Sequence, residues 1–124
     1  MNYTAIDFDT RLDTKLLDEL YEGDKDHALT VFKGFLGSIH TQLDELDKNF
    51  RSGDLVAFRQ KIHKIKPIFS FVGLSWLTEK AELIESQCEE QREINSIENS
   101  YQEFIKNIEE FIPVIENEIE KLNH

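Results

Sequence analysis

One histidine is set apart by its neighbours. His63 lies among Arg59, Lys61, Lys64 and Lys66, inside a window from Leu55 to Thr78 that holds no Asp or Glu. The chain as a whole is acidic, with 25 Asp+Glu against 14 Lys+Arg in 124 residues and a net charge of −11. A neutral imidazole nitrogen keeps its lone pair and can attack an electrophilic centre. Cations beside it stabilise negative charge that builds on the attacked group. The same cations disfavour imidazolium, so the ring is expected in its neutral, nucleophilic form. The chemistry indicated is the handling of an anion. The bland explanation is a packed helix whose few exposed positions happen to be basic.

Helical spacing favours the first explanation. At 100° per residue, Val56, Arg59, Gln60, Lys66, Pro67 and Ser70 fall within about 60° of His63. The apolar seam Leu55, Phe58, Ile62, Ile65, Phe69 and Val72 is centred roughly 130° away on that wheel. His63 is therefore expected to face solvent, on a helix whose opposite side is core.

The elements that must hold this face are helical too. Ala28, Val31, Phe32, Phe35, Ile39, Leu43, Leu46 and Phe50 form one long stripe, introduced by Gly23-Asp24. Gly53-Asp54 repeats that punctuation before the His63 helix, and Gly73 is placed to end it. Ser75 is expected to cap a third stripe of Leu77, Ala81, Ile84 and Cys88. Asn95 with Glu98 resembles a capping box ahead of Ile97, Tyr101, Phe104, Ile108, Phe111, Ile115, Ile119 and Leu122. Leu12, Leu16, Leu17 and Leu20 mark a shorter first helix. The expected helices span roughly 10–22, 25–50, 55–72, 76–90 and 96–122. Trp76 and the phenylalanines are expected in the core. No run of alternating residues suggests a strand. Short connections make the long helices antiparallel neighbours, an all-α up-down four-helix bundle with a short additional N-terminal helix. Nothing divides residues 1–124 into more than one domain.

The stretch Ile62-His63-Lys64-Ile65-Lys66-Pro67-Ile68-Phe69-Ser70-Phe71-Val72-Gly73 resembles the signature of histidine-containing phosphotransfer (HPt) domains, His-x-x-Lys-Gly with a later glycine. The resemblance extends as a helical layout from Asp9 to about Leu122, but only this dozen residues is distinctive. It implies that His63 is the phosphoacceptor and that Lys66 stabilises the phosphoryl group. It also implies a partner face of Val56, Arg59, Gln60, Lys64, Pro67, Ser70 and Gly73. The implied partner is a response-regulator receiver domain, with a hybrid histidine kinase as a further one. That partner would supply Mg²⁺, and the chain itself needs no cofactor. Such a chain passes phosphoryl groups in a phosphorelay without autokinase activity, and is not a conventional enzyme. Pro67 departs from the pattern, standing where the family has glycine. Proline removes a helical N–H and crowds the carbonyl of His63, at about 3 kcal/mol in a helix interior. A kinked helix that continues to Val72 is expected.

Other functions fit poorly. An acidic chain repels phosphate backbones, so nucleic-acid binding is not expected. Ile68–Leu77, the most apolar segment, is far shorter than the roughly 20 residues of a membrane helix. Met1–Asp7 has no basic-then-apolar pattern, so no leader is expected. Cys88 is the only cysteine, which suits a reducing, cytoplasmic setting and a monomer without disulfides. No Glu-x-x-His pair exists for a di-iron bundle, and one cysteine with scattered histidines makes no zinc site. His27, His40 and His124 have no such company. An autophosphorylating kinase would need an acidic residue after the histidine and a nucleotide site; Lys64 follows His63 and no phosphate-cradling glycine motif is present. A helical interaction module that never takes phosphate is the remaining competitor.

Overall fold

Three helices begin where an aspartate can take their first free amides. Asp13, Asp24 and Asp54 accept from Leu16, His27 and Ala57 at 3.0–3.1 Å, which satisfies donors that no helical carbonyl can reach. The computed structural model describes residues 2–124 and contains α1 (Thr14–Tyr21), α2 (Lys25–Arg51), α3 (Leu55–Ile65), α4 (Ser75–Glu90) and α5 (Glu98–Leu122). Two 3-10 segments, Lys66–Val72 and Ile94–Ile97, precede α4 and α5. No strand occurs among the described residues.

The four long helices form an antiparallel up-down bundle. Each packs against the next in sequence, and α5 closes the ring on α2. Their apolar stripes meet in one core. Phe35, Phe69 and Phe104 pack edge to face across three of its elements; nearer the other end Phe58 sets its edge against Phe50 and Tyr101, which stack on each other. α1 lies across the end where Lys66–Val72 turns towards α4. There the Tyr21 hydroxyl donates to the Phe71 carbonyl at 2.5 Å, and burial pushes that phenol up to about 12.

Several expected boundaries shift, each for a local reason. The first helix is shorter than 10–22, because Leu12 packs in the core from a turn before it. The His63 helix does not continue as an α-helix to residue 72. It ends at Ile65 and tightens into the seven-residue 3-10 segment, whose first turn tolerates the missing Pro67 N–H. Ser75 is the first residue of α4 rather than its cap, and its hydroxyl donates to Asp13 at 2.9 Å. Asn95 caps nothing: residues 94–97 form the second 3-10 turn, and α5 starts without a side-chain cap. Trp76 is only half-buried, against Phe111, and Phe71 is 47% exposed. Among the described residues no helix is long and apolar enough to cross a membrane.

Candidate functional site

The seam between α3 and α4 is a ladder of polar contacts. Ser70 Oγ meets Thr78 Oγ1 at 2.7 Å, His63 and Lys66 both meet Glu85, and Arg59 meets Glu89 at 3.3 Å. The rungs follow from antiparallel packing, since residue numbers fall along one helix as they rise along the other. Thr78 also donates to the Lys66 carbonyl at 3.2 Å, at the junction where the α-helix tightens.

His63 sits at the middle rung with its side chain 67% exposed. Its Nδ1 lies 2.7 Å from Glu85 Oε1. The other carboxylate oxygen, Oε2, accepts from Lys66 Nζ at 3.0 Å. Glu85 is the least exposed of the three, at 14%. Burial acts to raise its carboxyl, but hydrogen bonds from Lys66 and His63, with their charges, hold it below the ordinary glutamate value. Glu85 is therefore an anion near neutrality and can only accept hydrogen bonds. It follows that Nδ1 carries the proton and donates it to Glu85. In the neutral ring the lone pair then belongs to Nε2, on the side away from Glu85. The surroundings are thus not purely cationic. Counting the charges of one helix overlooked a carboxylate brought in by the next.

The six residues grouped around His63 on the helical wheel separate into two columns. Arg59, Lys66 and Ser70 turn towards α4 and engage Glu89, Glu85 and Thr78. Val56, Gln60 and Pro67 stay open to solvent, Val56 at 61%. His63 stands between them. Arg59, Gln60, His63 and Glu85 together line an open cleft. Lys64 is exposed on the side nearer α2. Lys61, in contrast, is drawn into the α2 seam, where its ammonium meets Gln42 and Glu45 at 2.6 and 2.5 Å.

Gly73 does not belong to this face. It is buried, with φ +77°, and a Cβ there would lie 2.7 Å from Leu17 Cδ1 and 2.9 Å from Leu12 Cβ. Its carbonyl accepts the Asp13 amide at 2.7 Å. Gly73 ends the 3-10 segment and lets α1 approach, which is a packing role.

Glu85 is the site residue that sequence reading missed. One signal was present. On α4, Thr78, Glu82, Glu85 and Glu89 each follow a buried residue, namely Leu77, Ala81, Ile84 and Cys88. That offset marks the edge of the apolar stripe, where a polar side chain borders a neighbouring helix. Which border faces α3 was not encoded in α4 alone.

No group of three or more His, Cys, Asp or Glu placed to hold a metal ion occurs among the described residues. Burial pushes the Cys88 thiol up to about 11, which leaves it un-ionised and unreactive near neutrality. No protein-family model, curated protein or solved structure matches the chain.

Proposed function

We propose that the protein is a phosphorelay intermediate that takes a phosphoryl group on His63 Nε2 from a receiver-domain aspartate and passes it on to another. The observation that carries this reading is the Nδ1–H···Glu85 contact of an exposed imidazole. It fixes the ring's orientation and reserves the outward nitrogen for reaction, as a carboxylate does for the imidazole of a catalytic triad.

The transfer is balanced without any proton leaving the site. The Nε2 lone pair forms the N–P bond while the P–O bond to the aspartate breaks and its electrons return to the carboxylate. The ring gains positive charge at that moment, and the Glu85 carboxylate at 2.7 Å stabilises it. Reversal expels a neutral imidazole, so donation and acceptance use the same contacts. Mg²⁺ and the acidic pocket belong to the receiver. The open column of Val56, Gln60 and Pro67, with Lys64 beside it, gives that acidic partner an apolar and basic surface to meet.

The deciding experiment is incubation with a phosphorylated receiver. Acid-labile phosphate is expected on the wild-type protein and not on His63→Gln, with melting nearly unchanged because the position is exposed. A fully receptive His63→Gln protein defeats the assignment. A wild-type protein that binds receivers and never takes phosphate establishes the scaffold reading instead. ATP alone, with no kinase present, is expected to label neither.

A further inference from the structure

Resting on the phosphohistidine reading, we infer that Arg59, not Lys66, is the cation that binds the phosphoryl group on His63. A phosphoryl group on Nε2 brings charge near −2 and three strong acceptor oxygens to an exposed position. Lys66 is poorly placed to receive it. Its ammonium is tied to Glu85 at 3.0 Å, and both groups are largely covered. Drawing Lys66 outwards would leave the covered Glu85 carboxylate with one donor fewer. Lys64 lies on the other flank, nearer α2.

Arg59 differs in each respect. It is one helical turn before His63, which places the two side chains as neighbours on one face. It lines the same cleft as His63, Gln60 and Glu85. Its one ion pair, to Glu89, is long at 3.3 Å and exposed on both sides, 38% and 59%. Exposed pairs of this kind contribute little, so exchanging Glu89 for a phosphoryl group costs little. The guanidinium fork also matches two phosphate oxygens at once, which an ammonium cannot do. In the unphosphorylated protein Glu89 occupies this fork. Phosphorylation makes the better acceptor available, and Arg59 moves to it.

Tying up the phosphoryl oxygens weakens the electron push that expels imidazole, so Arg59 should lengthen the life of the phosphohistidine. The test labels the 124-residue chain with phosphoramidate, whose N–P bond breaks to release ammonia as Nε2–P forms, with no receiver present. Loss of the phosphohistidine ³¹P signal then gives a lifetime. Arg59→Gln is expected to shorten it about fivefold, the weight of a well-oriented exposed ion pair. Arg59→Lys should recover part of the loss, and Lys66→Gln should matter less than Arg59→Gln. Glu89→Gln removes the competing carboxylate and should lengthen the lifetime. Opposite signs for Arg59→Gln and Glu89→Gln are the signature, because a merely structural ion pair would respond alike to either change. Lifetimes that are unchanged, or that move in the same direction in both variants, overturn this inference while the phosphotransfer reading stands. A wild-type protein that takes no label at His63 overturns both.

Discussion

Two glutamates of this protein sit in similar settings and do different work. Glu118, on α5, is 1% exposed; one carboxylate oxygen accepts the Asp9 amide at 2.5 Å, and the other lies 2.9 Å from Lys121 Nζ without hydrogen-bond alignment. Glu85, on α4, likewise sits between a lysine and a second donor, His63. The difference lies in that second donor. A backbone amide has spent its capacity once it donates, so Glu118 holds the N-terminal segment on the bundle end, helped by Lys121 donating to the Asp7 carbonyl at 3.0 Å. An imidazole has another nitrogen left. The same kind of anchor therefore uses up its donor at Glu118 and leaves one ring nitrogen open beside Glu85.

The sharpest way to break the comparison is to remove each carboxylate and measure both stability and reactivity. Glu118→Ala is expected to cost about 2–3 kcal/mol in urea denaturation, because it strands a covered amide and empties packed space. It should leave labelling of His63 unchanged. Glu85→Gln should do the reverse. His63 is mostly exposed, and the amide oxygen can still accept from Lys66, so stability should move by less than about 1 kcal/mol. An amide that donates to Nδ1 stabilises the wrong tautomer, so phosphoramidate labelling of His63 should slow at least tenfold, roughly. A Glu85→Gln protein labelled at the wild-type rate would make Glu85 as purely structural as Glu118.

Smaller effects refine the picture. Lys66→Ala leaves the largely covered Glu85 carboxylate to His63 alone, so labelling is expected to slow by only about two- to threefold, with melting lowered and the fold retained. Acid titration gives the weakest signal. Glu85 is held below its ordinary value, so its stabilising links are complete above that value and fade as pH falls through the lowered one. Asp9 is lowered further, to about 2, by hydrogen bonds from Arg11. Its contribution is full above 3.8 and persists until pH approaches 2. Proton-detected NMR of the two carboxyls should show Glu85 titrating first as pH falls. The opposite order would mean that the Arg11 contacts to Asp9 are weaker, or the Lys66 and His63 contacts to Glu85 stronger, than their geometry implies.

Local patterns carried much of the fold. The stripe from Ala28 to Phe50 and the Asp24 and Asp54 caps needed only helical periodicity and one acceptor each, and the helices fall there. His63 was readable as exposed for the same reason. What the sequence could not show was anything set by two helices at once. The split of Arg59, Lys66 and Ser70 from Val56, Gln60 and Pro67 depends on which side of α3 meets α4. Gly73 looked like part of a functional motif, yet its φ and its closeness to Leu12 and Leu17 give it a packing duty. Pro67 was recognised as a disruption. The outcome was a change of helix type, because seven residues of 3-10 helix keep Phe69 and Val72 inward at three-residue spacing. Glu118 gave no warning: α5 continues through Pro113, and the buried row beyond it runs Val114, Ile115, Glu118 and Leu122.

The proton on Nδ1 also has a regiochemical consequence. A free imidazole offers an electrophile two nitrogens and gives a mixture of regioisomers. At His63 one nitrogen is masked by Glu85, so any group small enough to reach the ring, phosphoryl or acyl, should be delivered as a single isomer. His27 and His40 are exposed and have no carboxylate in hydrogen-bond contact with the ring, so they have no such bias. Selectivity that a chemist would obtain with a protecting group is here supplied by the helix next door.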